Sequence, residues 1–357
     1  MKKVWKTVLC IVLALVLIAL GYVAYVLIDY HRIGNEIIDC AGGKTEKVAI
    51  NTEYDTVSWN VGFGAYESDY GFFMDGGTES WAWSKERLNA NMDNIGNLLK
   101  AQNAQFICLQ ELDSDSTRTY HVDERSILEE KLDREVYDSI YVLNYDSPFL
   151  MYPFTQPHGK SVSGIETFSQ FGITSAQRVE LPVEESLMRL VDLDRCYSKS
   201  YIPAENGKNL VYFNTHLSAY TSDGKIAVEQ LEILLGDMQG EYEAGNYVIC
   251  SGDFNKDLLG DSSVYFGERD KEYTWAQPLP EGIFNGTNLS LVAPLDKEHP
   301  VPSNRNADGP YHEGQFVMTN DGFIVSDNVE VTGSNVIDTG FAYSDHNPVH
   351  MSFKLLG

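Results

Sequence analysis

Short apolar runs recur along the chain from about residue 48 onward, and each is bounded by polar residues. Residues 56–61 alternate apolar and polar positions, which is the two-residue period of a half-buried strand. Continuous apolar runs are typical of strands that are covered on both faces. Such runs occupy residues 106–109, 210–213, 247–250 and 323–325. A last strand is predicted at residues 349–353.

Two stretches between these runs, residues 85–100 and 226–238, have the 3.6-residue apolar spacing of an amphipathic helix. The first presents on one face Leu88, Met92, Ile95 and Leu99. Helices that alternate with apolar strands predict an α/β fold in which helices cover a sheet. Residues 144–169 and 260–311 are rich in Pro, Gly or Asn, and we expect both to be long surface segments.

The N-terminus carries the longest apolar run, because residues 8–28 contain no charged side chain. As a helix this run is about 32 Å long, which matches a bilayer core. Lysines precede it, so residues 1–28 are predicted to be an anchor with a cytoplasmic N-terminus. A cleaved signal peptide, giving a secreted protein, is the alternative, but the run is long for one and no A-x-A site follows. Residues 29–47 are expected to be a juxtamembrane linker, and residues 48–357 a single domain outside the cell membrane.

The chain has 357 residues and a net charge of -26. This charge argues against an extended basic surface for long nucleic acids. It is compatible with a phosphate-ester substrate, because a bound divalent cation inverts the local field.

Polar side chains follow each apolar run, at the point where the predicted strand ends. They are Asn60, Glu111, His216, Asp253 and Asn255, with Asp321 before one strand and Asp345-His346 before the last. If the strands lie side by side, these groups share one rim. Oxygen ligands such as Glu111, Asp345 and Asn60 suit Mg²⁺, with Mn²⁺ or Ca²⁺ as alternatives. Histidines exchange protons near neutral pH, so the set is equipped for metal-assisted hydrolysis of a phosphate ester.

Five of these segments, in this order, resemble the motifs of the endonuclease/exonuclease/phosphatase superfamily. They are Ser58-Trp59-Asn60, Leu109-Gln110-Glu111, Asn214-Thr215-His216-Leu217, Gly252-Asp253-Phe254-Asn255 and Ser344-Asp345-His346-Asn347-Pro348-Val349. The resemblance spans roughly residues 50–355. It implies the DNase I-like fold, a four-layer α/β/β/α sandwich.

The resemblance also implies roles for the metal-binding side of the site. Glu111 is expected to ligate the catalytic Mg²⁺, with Asn60 beside it and Asp345 contributing directly or through water. Asp253 and Asn255 are expected to orient the attacking water and the phosphoryl oxygens.

For the acid–base groups, the resemblance makes His346 a general base or a charge stabiliser, with Asp321 as its carboxylate partner. His216 is expected to hydrogen-bond a phosphoryl oxygen or to protonate the leaving group. Members of the superfamily differ in which group is the base, so that assignment stays open. Gly322 stands where the superfamily usually has an aromatic residue after this aspartate.

Substrate contacts have no motif of their own. Arg118, Arg195 and Arg305 are candidates for binding the substrate phosphate. Asp113 lies two residues after Glu111, where several nucleases place a basic or polar phosphate contact, and an acid there weakens the nuclease interpretation. An aromatic stretch over residues 66–83 is expected to pack against the sandwich, with a substrate-shaping or membrane-facing loop as the alternative.

The sequence therefore predicts a membrane-anchored, Mg²⁺-dependent phosphoesterase. A surface nuclease of the same fold and a non-catalytic binding domain are the two alternatives. A lipid head group is among the candidate substrates, because the anchor places the site near a bilayer.

Overall fold

The computed structural model describes residues 2–40, 44–184, 189, 192–219, 225–267 and 277–357. The helices among them are α1 (Lys2–Asp29), α2 (Lys85–Gln102), α3 (Glu124–Leu132), α4 (Lys225–Glu243) and α5 (Ser263–Phe266). The strands in the first half are β1 (Glu36–Ile38), β2 (Glu53–Asn60), β3 (Phe106–Asp113), β4 (Asp138–Asp146), β5 (Val162–Ser169) and β6 (Ser175–Glu180). Those in the second half are β7 (Cys196–Pro203), β8 (Asn209–His216), β9 (Tyr247–Asp253), β10 (Leu289–Val292), β11 (Asn304–Arg305), β12 (Val317–Met318), β13 (Asp321–Ser326), β14 (Val329–Val336) and β15 (Val349–Leu355).

The strands form two large mixed sheets and one small hairpin. The first sheet has the order β1-β6-β7-β8-β9-β13-β10, and the second has the order β14-β15-β2-β3-β5-β4. Strands β11 and β12 form a two-stranded sheet, and Asn304 of β11 also forms a single antiparallel bridge with His346. The pairs β2–β3 and β8–β9 are parallel, while the other neighbours within the two sheets are antiparallel.

Apolar side chains fill three layers between and around the sheets. The inner layer joins both sheets, for example Phe106 of β3 with Tyr212 of β8, whose rings stack at 5.5 Å. The second sheet packs its outer face against α2 through residues such as Ile95. The first sheet packs against α4 through residues such as Leu234. The predicted four-layer α/β/β/α sandwich is therefore confirmed.

Local sequence explains the limits of α2. The Ser84 hydroxyl accepts a hydrogen bond from the Arg87 amide at 3.1 Å and so caps the first turn. Asn103 ends the helix in the left-handed conformation, with φ of 50°. The aromatic stretch that precedes α2 packs as expected, because Tyr66, Tyr70 and Phe72 are buried against the second sheet's outer layer.

Helix α1 is long and apolar enough to cross a membrane, and its side chains are almost all exposed. The chain that follows it is fixed to the domain. Arg32 forms an ion pair with Asp194, and its guanidinium donates to the Leu181 carbonyl at 2.9 Å. Strand β1 then pairs with β6 at the edge of the first sheet, inside the segment predicted as a linker.

The prediction of a surface segment was wrong for residues 162–169. These residues form β5, a mostly buried strand between β3 and β4 in the second sheet. The prolines that suggested a loop all lie earlier, between β4 and β5. Glycine is required at position 164 inside this strand, because a Cβ there would lie 2.3 Å from the Val142 carbonyl oxygen of the neighbouring strand. Of residues 260–311, only α5, β10 and β11 are regular within the described part of the chain.

Glu166 of β5 gives a prediction about stability. Its side chain is fully buried, and burial raises its pKa well above the ordinary range, with nearby Glu129 adding to the effect. The native state therefore holds a proton that the unfolded chain releases near pH 4.5, so stability falls as the pH rises from there towards the native pKa. We expect Glu166→Gln to raise the melting temperature by several degrees at pH 8 and by much less at pH 5. Thermal unfolding at both pH values, with exposed Glu130→Gln as control, checks this; equal shifts at both would contradict it.

Candidate active site

Strand register explains why the motif residues meet. The parallel pairs β2–β3 and β8–β9 bring their carboxyl ends to one rim, with Asn60 and Glu111 on one sheet and His216 and Asp253 on the other. Strand β13 runs against β9, so its first residue, Asp321, pairs directly with Asp253. Strand β15 runs against β2, and the residues before it therefore reach the end of β2.

Asn60 links the two sheets at this rim. Its side-chain nitrogen donates to Glu111 Oε1 and to Asp253 Oδ2, both at 3.1 Å. Its side-chain oxygen accepts from the Gly62 amide at 3.0 Å, which fixes the orientation of the carboxamide. The side chain is buried, so one residue of β2 links the acid of β3 to the acid of β9.

Glu111 is aimed by an irregularity in its strand. Its φ is 55°, in the left-handed region, and the β3–β5 ladder shifts register between Leu109 and Leu112. Such a bulge turns a side chain away from the regular alternation, and it costs backbone strain that the surrounding sheet must offset. The Glu111 carboxylate is left partly exposed at the wall of a cavity of about 530 Å³.

Asp345 lies on the opposite side of the end of β2. The Ser344 hydroxyl is 2.8 Å from the Asn60 carbonyl oxygen and 3.2 Å from Asp345 Oδ1, which ties this turn to β2. The pKa of Asp345 is raised to about 6, mainly by burial; the His346 charge opposes this rise and the Glu111 charge adds to it. Two carboxylates thus face the same part of the cavity.

Asp253, Asp321 and His346 form a second cluster, whose potential ligand atoms lie within 4.8 Å of one another. This group could also hold a cation. However, both ring nitrogens of His346 already have partners, at 2.8 Å from Asp321 Oδ2 and at 2.8 Å from the Asn304 amide nitrogen. We therefore regard Glu111 and Asp345 as the better Mg²⁺ ligands, because Mg²⁺ prefers oxygen donors.

The His346–Asp321 pair is buried. Burial alone would lower the pKa of His346, but the charges of Asp321, Asp253 and Asp345 outweigh it and raise the pKa to about 10. Asp321 Oδ2 also accepts from the Ser303 hydroxyl at 2.7 Å. The raised pKa favours the protonated ring, which stabilises negative charge rather than accepting a proton. In that state Nε2 carries a hydrogen, so the Asn304 carboxamide must turn its oxygen, which has no partner among the described residues, towards Nε2.

Gly322, the departure from the superfamily pattern, has a packing cause. A Cβ at this position would lie 2.7 Å from Leu258 Cδ1 and 2.9 Å from the Val292 carbonyl oxygen. The aspartate before it still reaches His346, so the missing aromatic residue does not disturb the pair.

The pKa of His216 is shifted in the opposite direction. Burial lowers its pKa well below the ordinary value, and the charges of Arg195 and His346 lower it further. Its Nε2 lies 3.6 Å from Asp253 Oδ2 and 3.9 Å from Glu111 Oε1, too far for strong hydrogen bonds. Its Nδ1 is buried without a hydrogen-bond partner among the described residues. A neutral ring in this position can donate one hydrogen bond to a bound group.

Asp253 is held in place by three donors. Besides Asn60, they are the Asn255 amide at 2.9 Å and the Asn320 side-chain nitrogen at 3.0 Å, both to Oδ1. Burial raises its pKa to about 7, although the His346 charge lowers it, and Asp321 adds to the rise. The preceding Gly252 is required by the fold, since a Cβ there would lie 2.0 Å from the Thr215 carbonyl oxygen.

Comparison with known proteins agrees with this geometry. A sequence profile of the endonuclease/exonuclease/phosphatase family matches residues 57–346. The chain belongs to this family. Its members are hydrolases that act on phosphoester bonds, and the resemblance seen in the sequence motifs is thereby confirmed. No individual curated protein matches the chain.

Solved structures share the fold at low sequence identity. A family protein from Beutenbergia cavernae superposes with a TM-score of 0.60 and 16% identity, covering 85% of this chain and 72% of its own. A family protein from Leptotrichia buccalis superposes with a TM-score of 0.57 and 15% identity, covering 85% of this chain and 100% of its own. ANGEL2, described as a 2′,3′-cyclic phosphatase, superposes with a TM-score of 0.57 and 16% identity, covering 90% of this chain and 99% of its own.

Arg118 lines the cavity of this family member and is held rigidly. Its Nε and Nη2 donate to both oxygens of Asp113, at 2.9 and 2.8 Å, and its guanidinium lies over the Phe63 ring at 3.7 Å. Asp113 is fully buried. Asp113, the acid that weakened the nuclease interpretation, therefore holds the Arg118 guanidinium at the cavity wall.

The other two arginines, Arg195 and Arg305, differ in the hydrogen bonds that they already form within the protein. Arg195 lines the cavity, donates to the Leu217 carbonyl at 3.0 Å and lies 3.3 Å from Asp192. Arg305 donates to backbone carbonyls, including those of Glu67 at 3.1 Å and Gly309 at 3.2 Å. Arg305 also lines the cavity, and its guanidinium holds two loops together; its contact with the substrate phosphate stays a prediction.

Three side chains near the site were not identified from the sequence. Asn304, Asn320 and Ser303 contact His346, Asp253 and Asp321 respectively. They lie in or next to irregular segments, where no apolar run marks a strand end. No sequence signal distinguishes them from ordinary turn residues.

Proposed function

We propose that this protein is a membrane-anchored, divalent-metal-dependent phosphoesterase that hydrolyses a phosphodiester or phosphomonoester by attack of an activated water on phosphorus. The observation that carries the proposal is the single buried network from Glu111 through Asn60 to Asp253, with both histidines around it. A fold alone would not require such a network at the base of an open cavity.

The donor set fits a hard cation. Glu111 and Asp345 would hold Mg²⁺, or Mn²⁺ or Ca²⁺, because both offer carboxylate oxygens at the cavity wall. Asn60 lies beside them and positions Glu111 through its side-chain nitrogen, since its oxygen accepts from the Gly62 amide. When bound, the cation polarises the phosphoryl oxygen and offsets its negative charge.

The protein groups supply proton transfer and charge. Asp253 has a pKa of about 7, so at neutral pH its carboxylate can accept the proton of a water that attacks phosphorus. The His346 cation, held by Asp321, stabilises the charge that develops on the phosphoryl oxygens. Neutral His216 donates a hydrogen bond to one of those oxygens, and Asn255 orients Asp253 through its backbone amide. Arg118 and Arg195 are the groups best placed to contact the rest of an anionic substrate.

Membrane anchoring rests on α1. Residues 8–28 are uncharged, the helix is exposed along its length, and lysines precede it. We propose a single-pass arrangement in the cell membrane with the hydrolase domain on the extracytoplasmic side. Cleavage after α1 would instead release a secreted enzyme.

The full chain in detergent, supplied with Mg²⁺, tests the function against four substrates: bis-p-nitrophenyl phosphate, p-nitrophenyl phosphate, sphingomyelin and plasmid DNA. We expect turnover of at least one phosphate ester, and its loss in Glu111→Ala and in His346→Ala. Plasmid nicking alone, lost in both variants, would identify a nuclease. Absence of turnover on every substrate, or variants as active as the wild type, would contradict the proposal and favour a binding domain.

A further inference from the structure

The connection between β4 and β5 presents large apolar side chains to the surroundings. Phe149 and Met151 are partly exposed, Tyr152 is 63% exposed and Phe154 is 81% exposed. We call these four residues the aromatic tip. A cluster of this kind on one loop is uncommon on the surface of a soluble protein, where contiguous apolar patches usually mark a contact surface.

The loop that carries the aromatic tip is held in a fixed shape. The backbones of Leu150 and Gly159 exchange hydrogen bonds at 3.0 and 2.9 Å and close the loop. The Trp81 indole donates to the Pro157 carbonyl at 2.7 Å, and the Ser80 amide donates to Gln156 Oε1 at 3.0 Å. The exposure of the tip is therefore a property of an ordered loop.

The aromatic tip contacts the last turns of α1. The Tyr22 hydroxyl donates to the Phe149 carbonyl at 3.1 Å and accepts from the Met151 amide at 3.0 Å. The Tyr25 hydroxyl accepts from the Phe149 amide at 3.0 Å. These tyrosines precede the end of the helix at Asp29 by about 6–10 Å, given the rise of a helix. Tyrosines at such positions are typical of the boundary between bilayer and water.

The same loop leads to the active-site cavity. Tyr152 packs against the Phe73 ring at 5.8 Å, and His158, six residues further, contacts the Phe72 and Phe73 rings at 6.0 Å each. Both His158 and the neighbouring Met74 line the cavity. Ring contacts thus lead from Tyr152 of the aromatic tip through Phe73 to His158 at the cavity wall.

We propose that the aromatic tip is a second membrane contact, which inserts into the bilayer interface beside α1 and seats the active-site cavity against the membrane surface. This inference rests on the proposed membrane anchoring and hydrolase activity. It implies that the enzyme takes phosphate esters presented at that surface.

A lipid surface fits the tip better than a protein partner for a geometric reason. The tip is hydrogen-bonded to α1 at the level of the last two turns of the apolar span, so any bilayer that surrounds α1 also surrounds the tip. Apolar aromatic side chains are stabilised at that depth, where they lose contact with water.

Fluorescence of the full chain in phosphatidylcholine vesicles tests the insertion. A label that responds to polarity is placed at Phe154→Cys in a chain that also carries Cys10→Ser and Cys40→Ser; the other three cysteines are buried. The matched control is Val136→Cys, which is 43% exposed beyond the opposite end of the nine-residue β4, about 30 Å away. We expect the label at 154 to shift to the blue and to be quenched several-fold by nitroxide lipids, and the label at 136 to do neither. Equal emission and equal quenching at both positions would overturn the proposal.

Activity gives an independent measurement. For Tyr152→Ser combined with Phe154→Ser, we expect hydrolysis of soluble bis-p-nitrophenyl phosphate within about twofold of wild type. Hydrolysis of a vesicle-embedded phosphodiester lipid should fall about tenfold. Equal effects on both substrates would overturn the role of the tip. A wild type that hydrolyses neither would contradict the hydrolase function, while the quenching result would still decide the membrane contact.

Discussion

Glu111→Gln is expected to lower the rate of phosphate-ester hydrolysis by about 10³-fold or more. The change keeps the size of the side chain but removes its charge, so the cavity loses its most accessible anionic oxygen ligand. The glutamine oxygen can still accept from the Asn60 nitrogen, but its NH2 group then faces the position of the cation and cannot act as a ligand. The effect should therefore be larger than that of removing one hydrogen bond.

The measurement is the steady-state hydrolysis of bis-p-nitrophenyl phosphate over a range of Mg²⁺ concentrations. Wild type should lose activity in a chelator and regain it with Mg²⁺, whereas the variant should stay inactive at every concentration. Glu130→Gln, on the exposed face of α3, is the matched control and should behave as wild type. A Glu111→Gln enzyme that keeps wild-type activity, or a wild type indifferent to chelation, would exclude Glu111 as a metal ligand.

Asp321→Asn is expected to lower kcat by about 10²–10⁴-fold with little change in KM. The carboxylate of Asp321 lies 2.8 Å from His346 Nδ1 and is the strongest of the charges that keep the ring cationic. Without it, the ring loses both its charge and the partner that fixes its orientation. The substrate can still bind, since neither Arg118 nor Arg195 contacts this pair.

A double-mutant cycle with His346→Gln separates this role from a general loss of structure. Because the two residues act as a pair, the double variant should be no slower than His346→Gln alone. Asp327→Asn, an exposed carboxylate just after the same strand, is the control and should leave kcat unchanged. Additive losses in the cycle would show that Asp321 acts independently of His346.

The sequence predicted those parts of the molecule that have a local signal. The apolar spacing over residues 85–100 marked α2, because a helix that covers a sheet repeats its apolar side chains about every 3.6 residues. Continuous apolar runs marked β3, β8, β9 and β13, because a strand covered on both faces is mostly apolar, and alternation of apolar and polar residues marked β2. The polar residue that ends each run was therefore visible as a candidate.

Other parts had no local signal. Strand β5 was missed, because its buried residues include Glu166 and Thr167, which are tolerated only through contacts with distant strands and α3. Asn304 and Asn320 acquire their roles only because loops far apart in the chain bring them to His346 and Asp253. Such contacts depend on sheet register, and register depends on the whole sandwich.

The sequence by itself determined which residue types stand at the ends of the strands, and hence the family and the kind of chemistry. Only the tertiary structure decided what each group does. His216 and His346 are the same residue type in the same rim, yet the pKa of one is lowered and that of the other is raised to about 10. The physical reason is that His346 has a buried carboxylate at 2.8 Å, whereas His216 lies 3.6 Å from the nearest acid and faces Arg195, and these distances are set by packing.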